Sequence, residues 1–542
     1  MIPVQNASPL KMQAIQVLKL DYWQAMLPHV VDDSLVDSYI ADIRNGVSIG
    51  RPPASSVTES PNWPSTIELH DEVSKVIKGD LESGRLYGPF AEPPFPCYIV
   101  SPLGAFRKRD GLKIRLIHDL SFPRAGSVNC LIDPDEFSLS YSSIDSAVAA
   151  CRAYDAPILS SVDLKDAYKA IGIAVEDWHL MGFKWAMAGA DPQYYFSKVL
   201  SFGLRSAPAL FDRFAGALEL FFKHSGVDSH VVRYVDDFLL VSSNMEVAAS
   251  HLSKVIEVSR AAGFTIQDSK VTPPCRCLEF LGIVVDLEGG VLRISSERMA
   301  EIQGILAYWQ GQKVISKRRL LKIVGKLAFA AKVVRTGRAF LGRLIGLAKS
   351  ATALNHRVRL SQAARRDLTW WQECLHSHNG TRLLEVDWSS GTAYHVYTDA
   401  SDFGYGACCG EEWFAISYTG QSAAPRARSI NWRELHAAAK ALATWGPSLR
   451  SERIIFHIDN TTTCCLLNKL YSPVPELMEL VRTWCILVEK FSVHISVVYI
   501  STKDNVLADA LSRGDFDLYF NTYGGKGRRV WPEPIQYFDE NV

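Results

Sequence analysis

The chain has 542 residues, 48% of them hydrophobic, with Lys+Arg and Asp+Glu equal at 58 each and a formal net charge of zero. This is the composition of a globular chain with cores for about three to four folded units, and it offers no overall charge excess to hold a polyanion. The eleven cysteines include Cys408-Cys409, Cys464-Cys465 and Cys275-x-Cys277 but no zinc-spaced knuckles, so they read as reduced thiols of an intracellular protein, in cytoplasm or nucleus. The N-terminal MIPVQNASPLKMQ has no charged stretch leading into an apolar one, and the most apolar run, Leu320 to Val334, is broken by Lys322, Lys326 and Lys332. Neither a secretory signal nor a membrane span is expected.

In chain order, the pattern predicts a helix over Ser34–Asn45, a Pro/Ser-rich connector, and a second helix over Ile67–Leu81 that stops near Gly84. The Pro- and Gly-dense GRLYGPFAEPPFP (84–96) reads as an irregular strap. From Cys97 to about Asp286, strand-like runs (98–100, 113–118, 158–164, 231–235 and 280–286) alternate with helical spacing over 207–224 and 245–263. Between Lys313 and Arg366 there are fifteen Lys/Arg and no Asp or Glu. There Leu320, Ile323, Val324 and Leu327 make an apolar helical stripe, and Arg318, Lys322 and Lys326 stack on another face. Unneutralised like charges at helical spacing point to a polyanion nearby, so this stretch, Arg335 and Arg338 included, is a candidate nucleic-acid contact. From about Thr392 a new α/β unit begins: a strand (AYHVYTDAS), helix 432–445, strand 453–458, helix 474–491, strand 493–500 and helix 505–512. The remainder reads as a loose extension.

Two groups of acids stand out. RYVDDFLLV places Asp236-Asp237 between two very apolar runs, and Asp163 ends the strand-like LSSVD. A lone Asp pair is ordinarily a turn. If the strands are neighbours, however, the three acids converge on a rigid platform, which is what hard divalent cations need. In the last unit Asp399 and Asp459 end apolar strands, Glu434 lies on a helix face with Ala437, Ala438 and Ala441, and Asp509 lies in NVLADALSR.

At these residues the sequence resembles reverse transcriptases. YVDD (234–237) is similar to their polymerase signature and VDLKDAY (162–168) to their first acidic motif. FGLRSAPALF (202–211) resembles the template- and nucleotide-positioning motif, with Phe202-Gly203 where retroviral enzymes carry Gln-Gly. GFTIQDSK (263–270) and LEFLGIVVD (278–286) resemble the two motifs that close the palm. The resemblance narrows to DIRS-type (tyrosine-recombinase) retrotransposons through GRLYGPFAEPPFP, SPLG (101–104), RLIHDLSFP (115–123) and DWHLMGFKW (177–185). The order Asp399, Glu434, Asp459, Asp509, with DASDFGYGA (399–407) and STKDNVLADALSR (501–513), resembles ribonuclease H of the retroelement type. The stretch YISTKDN lacks the His that some relatives carry before the last Asp.

The resemblance implies an α+β right-hand polymerase with fingers, palm, thumb and connection, followed by an α/β ribonuclease H-like domain. The boundaries it implies are 1–83 (extension, packed against the fingers), 84–290 (fingers and palm), 291–390 (thumb and connection), 391–516 (ribonuclease H) and 517–542 (tail). It implies Asp163, Asp236 and Asp237 as ligands of two Mg²⁺ (or Mn²⁺) for DNA synthesis, and Asp399, Glu434, Asp459 and Asp509 for two more in RNA cleavage. It implies Tyr168 against the sugar 2′-carbon, Lys108 and Arg115 on the triphosphate, and Lys270 near the pyrophosphate. RNA template, DNA primer, RNA–DNA hybrid and dNTPs are the implied partners, with a tyrosine recombinase and a capsid-like protein of the same element beside them. The alternative is a catalytically silent nucleic-acid-binding derivative, and it must account for all seven carboxylates being present. His436 and His457 read as structural.

Overall fold

The computed structural model describes residues 13–50, 57–107, 113–309, 311–377, 381–382, 393–419, 427–523 and 527–538. They divide into two compact units between Leu278 and Glu279. Among the described residues no helix is long and apolar enough to cross a membrane.

The first unit is organised by an antiparallel sheet of β1 (Ile158–Asp163), β2 (His230–Tyr234), β3 (Asp237–Ser242) and β4 (Thr272–Cys275), in the order β4-β1-β3-β2. Two helices back it, α1 (Ala207–His224) and α2 (Met245–Ala262). In α1, Phe211, Phe214, Ala215, Leu218, Phe221 and Phe222 recur at helical spacing and are all buried. The side chain of Asn244 caps α2 by accepting from Val247 N, and Gly263 ends the helix at φ +99°. Gly263 is needed twice over, because a Cβ there would meet Leu18 Cα at 2.8 Å.

That close approach belongs to the N-terminal segment, whose Leu18, Trp23 and Ile43 pack into this core, while Leu69, Val73 and Ile77 pack against Leu103 and Ala105 in the region expected as fingers. A short helix at Leu20–Met26 drives Trp23 into the core of the first unit, where it is fully buried and its Nε1 donates to Ala262 O at 2.8 Å. The rings of Phe221 and Phe214 lie 4.9 and 5.6 Å from it. At seven residues the helix is too short to show a period, and only the cavity it fills specifies it. Trp23→Ala is therefore expected to destabilise the first unit by about 3–5 kcal/mol, read as a lower denaturation midpoint with the second unit's transition unmoved. A loss under about 1 kcal/mol would show that the segment is not part of this core.

The second expected helix is broken in two, Pro64–Glu68 and His70–Glu82. The expected irregular strap contains an edge strand, Leu86–Phe90, whose Leu86 pairs with Ser197 and Tyr87 with Phe196 before the register shifts. Its edge position is what tolerates Pro89.

In the second unit the basic stretch folds as helices, as expected, but its charges are not all unneutralised. Lys326 Nζ lies 2.5 Å from Glu301 Oε2, and Arg343 reaches Asp367 Oδ1 at 3.1 Å and Glu479 Oε2 at 3.7 Å. The acids lie outside the interval in sequence, Glu479 far beyond it, but beside it in space. Arg318, Lys322, Arg335 and Arg338 stay exposed.

The C-terminal part of the second unit is built on a six-stranded sheet. Its elements are β5 (Tyr394–Ala400), β6 (Gly404–Cys409), β7 (Glu412–Ser417), α3 (Ile430–Trp445), β8 (Arg453–Ile458), α4 (Thr461–Lys469), α5 (Pro475–Phe491), β9 (His494–Tyr499) and α6 (Val506–Arg513). Strand order is β9-β8-β5-β6-β7, and Arg528–Arg529 adds beside β7. The tail is thus not a loose extension. A helix at Asp517–Thr522 buries Tyr519 completely, its ring 5.5 Å from that of Trp413. All eleven cysteines are free thiols.

Candidate active sites

The first carboxylate group follows from register. In the β1–β3 pair, Asp163 stands directly opposite Asp237, so both side chains leave the same face at the same end of the sheet. β2 and β3 are joined by the turn Val235-Asp236, closed by the Tyr234–Asp237 pair. Val235 has φ +55°, a conformation that a β-branched residue adopts only under local strain. The backbone on either side is held. Leu164 N donates to Asp236 O at 3.0 Å, and Gln267 N donates to Asp163 O at 2.9 Å.

Three carboxylates so close, and largely shielded from water, cannot all carry full charge without a cation. Burial raises the Asp237 carboxyl well above its usual range, with a hydrogen bond to the Asp163 carboxyl and the Asp236 charge adding to it. Burial also raises Asp236, the charge of Asp163 adds to this, and Lys270 and Arg115 oppose it. Lys270 Nζ donates to Asp163 Oδ2 at 2.6 Å. Burial works against its charge, but that hydrogen bond and the three carboxylates outweigh it, so the ammonium is held above its usual range. Asp163, Asp236 and Asp237 are oxygen donors of the type divalent cations take, but with Lys270 bonded to Asp163 their carboxylate oxygens are not drawn within 4.8 Å of one another as those of the second group are.

An aromatic wall stands next to these acids. The Tyr168 ring lies 4.9 Å from that of Phe202 and 5.6 Å from that of Phe211, and the Arg115 guanidinium sits 5.3 Å over the Phe202 ring. Phe202, expected with Gly203 among the substrate-binding residues of its motif, lies beside both Tyr168 and Arg115. Gly203 behind it is required by close approach, because a Cβ would fall 2.0 Å from His118 O at a φ of +117°. Sequence reasoning missed Asn129. This buried side chain donates to Gly203 O at 2.6 Å and accepts from Arg205 N at 2.8 Å, fixing the loop that carries Phe202. A single Asn in a loop gives no sequence signal. Lys108 lies outside the described residues.

The second group lies where β5 and β8 run parallel. Thr398 is in register with Ile458, so the next residues, Asp399 and Asp459, are neighbours, and α3 lays Glu434 across them. Among the described residues these three alone bring one ligand atom each within 4.8 Å of one another. Ala400 N donates to Glu434 Oε1 at 3.3 Å, while the buried Oε2 has no hydrogen-bond partner. Burial, then the charges of Asp399 and Asp459, push Glu434 up to about 9. Burial pushes Asp399 up to about 6, against a hydrogen bond from Ser512. An orphaned buried carboxylate oxygen facing two further acids fits a cation ligand set. Asp509 is not gathered with them. Its Oδ1 accepts from Arg513 Nε at 2.9 Å and from Nη2 at 2.8 Å. His436 is buried against Trp432 and Tyr405, and His457 pairs with His395 at 2.8 Å, both as ordinary packing residues.

Residues 128–285 match the family model described as reverse transcriptase (RNA-dependent DNA polymerase). The chain is 24% identical over 364 residues to the transposon Tf2-3 and Tf2-4 polyproteins of Schizosaccharomyces pombe. That alignment covers 66% of this chain and 25% of each relative, so the chain spans about a quarter of the polyproteins it matches. In fold it is similar to a foamy viral protease-reverse transcriptase solved with double-stranded DNA, at a TM-score of 0.51 and 17% identity, covering 92% of this chain and 84% of that one. The architecture is accordingly that of a right-hand polymerase. The carboxylates of β1 and of the β2–β3 turn thus lie within the stretch that matches the reverse transcriptase family model, and the sequence relatives are transposon polyproteins.

Proposed function

We propose that the chain synthesises DNA on RNA and DNA templates and cleaves the RNA strand of RNA–DNA hybrids, replicating a retrotransposon. The observation that carries the first activity is the register of Asp163 with Asp237, one residue from Asp236, inside the matched domain. Divalent cations, Mg²⁺ or Mn²⁺, held by these three acids would supply Lewis-acid activation of the primer hydroxyl and charge neutralisation on the triphosphate. The chain's own residues position the rest. Arg115, propped on Phe202, presents a guanidinium to phosphate oxygens, and Lys270 holds Asp163 until phosphate arrives. The exposed Arg318, Lys322, Arg335 and Arg338 suit backbone contact with a template–primer duplex, the positioning kind of contact that carries no sequence information. Incorporation of dNTPs on a primed RNA template tests this reading, and a chain that binds primed template without extending it supports the silent-derivative alternative.

The second activity rests on Asp399, Glu434 and Asp459 with the orphaned Glu434 Oε2. The DIRS-type placement rests on the motif strings between 84 and 211. It carries with it the recombinase and capsid-like partners.

Tyr168 is the proposed sugar gate, its ring fixed between Phe202 and Phe211. Tyr168→Ala is expected to raise ribonucleotide incorporation relative to deoxynucleotides by roughly 10–200-fold, the range for losing one steric contact. Competition between an rNTP and its dNTP reads this directly, and an unchanged ratio assigns the gate elsewhere.

A further inference from the structure

Asp509 is the one acid of the second group that a cation of the chain's own already holds. Both residues of the pair lie on α6, four apart, with Arg513 the helix's last residue. The helix itself is anchored. Asn505 Nδ2 donates to Thr398 O at 3.0 Å, Ser401 Oγ donates to Ser512 O at 2.9 Å, and a Cβ on Gly406 would meet Leu511 Cβ at 2.6 Å. Asp509 therefore cannot leave the site by moving its backbone. Its side chain is 27% exposed and that of Arg513 53% exposed, so the guanidinium is the part able to move. Arg513 also faces Asp399 and Asp402, and Asp402 already has a partner in Arg433 Nη2 at 3.0 Å.

We infer that Arg513 is a positioning residue that latches Asp509 when the carboxylate group holds no cation and turns to the substrate phosphate once Asp509 is engaged. Both guanidinium nitrogens converge on Asp509 Oδ1, so a cation that takes that oxygen must displace Arg513 from it. The released guanidinium remains at the rim, facing a polyanionic backbone. The inference rests on the proposed hydrolysis at this site.

The test uses the full chain with Asp163, Asp236 and Asp237 replaced by Asn, which removes the palm's three carboxylates from metal binding. Calorimetric titration with Mn²⁺ and hybrid-cleavage kinetics are compared for this parent and for Arg513→Gln and Arg513→Lys. Arg513→Gln is expected to bind Mn²⁺ about fivefold more tightly, because a competing exposed ion pair is gone. The same variant is expected to lose about tenfold in kcat with KM for the hybrid within about twofold, because phosphate positioning in the transition state is lost. Arg513→Lys keeps the charge and is expected to stay within about twofold of the parent in Mn²⁺ affinity. A merely structural arginine would leave Mn²⁺ affinity unchanged or weaken it, and either result for Arg513→Gln overturns the latch. A parent that cleaves no hybrid overturns the hydrolytic reading instead, and the metal titration alone then decides the latch.

Discussion

Asp236→Ala is expected to lower DNA synthesis by about 10³-fold or more, because one carboxylate of the proposed two-cation site would carry several kcal/mol of transition-state charge stabilisation. The loss should be free of any folding defect. What the fold takes from Asp236 is its backbone carbonyl, which accepts from Leu164 N, and alanine keeps that. Its side chain is destabilising where it stands, raised by burial and by the neighbouring charge of Asp163. The variant should therefore melt at or above the parent's temperature in EDTA. RNA cleavage should stay within about twofold, since the second group of acids belongs to a different folding unit. Extension of a primed RNA template by the variant at more than about a tenth of the parent rate would move the polymerase centre away from the β2–β3 turn.

Glu434→Gln carries the second large effect. Hybrid cleavage is expected to fall by about 10³-fold, with DNA synthesis retained. The stability consequence has a definite sign. Burial and two neighbouring charges push the folded-state carboxyl up to about 9. Between the ordinary glutamate range and about 9, the folded chain then binds more protons than the unfolded one. In EDTA, stability must fall as pH rises through that window, by at most about 1.4 kcal/mol per pH unit from this group. Gln resembles the protonated acid and cannot titrate, so the variant's melting temperature should decline less between pH 5 and pH 9, roughly the window set by that raised carboxyl. Equal pH slopes for parent and variant would mean that Glu434 is ionised and paired in the folded chain. Addition of Mg²⁺ should raise the melting temperature of the parent more than that of the variant, by mass action on the folded state.

Legibility in the sequence followed length and periodicity. Helices 207–224 and 245–262 were readable to the residue or nearly so, because their apolar positions recur over many turns. Asp163 and Asp236-Asp237 were readable because apolar runs flank them, and register then sets Asp163 against Asp237. The helix carrying Trp23, α4, and the tail elements around Tyr519 and Arg528 were not readable. Each is short, and each exists because a pre-formed surface accepts it. The charge argument over 313–366 failed in part for a related reason. A linear count cannot see that Glu301, Asp367 and Glu479 fold back onto Lys326 and Arg343. The Arg115–Phe202–Tyr168 wall and the Asn129 brace join residues far apart in the chain, and no local pattern announces either.

The most direct measurement of the central claim is primer extension on an RNA template with dNTPs and Mg²⁺, with end-labelled template followed in the same reaction. Primer should be extended to the template's end and the template cut behind it. Asp236→Ala should remove extension but spare the cutting of a preformed hybrid, and Asp459→Ala should remove only the cutting. Tight binding of primed template with neither extension nor cleavage, in Mg²⁺ or in Mn²⁺, would contradict it and leave a nucleic-acid-binding protein that has kept the carboxylates without their chemistry.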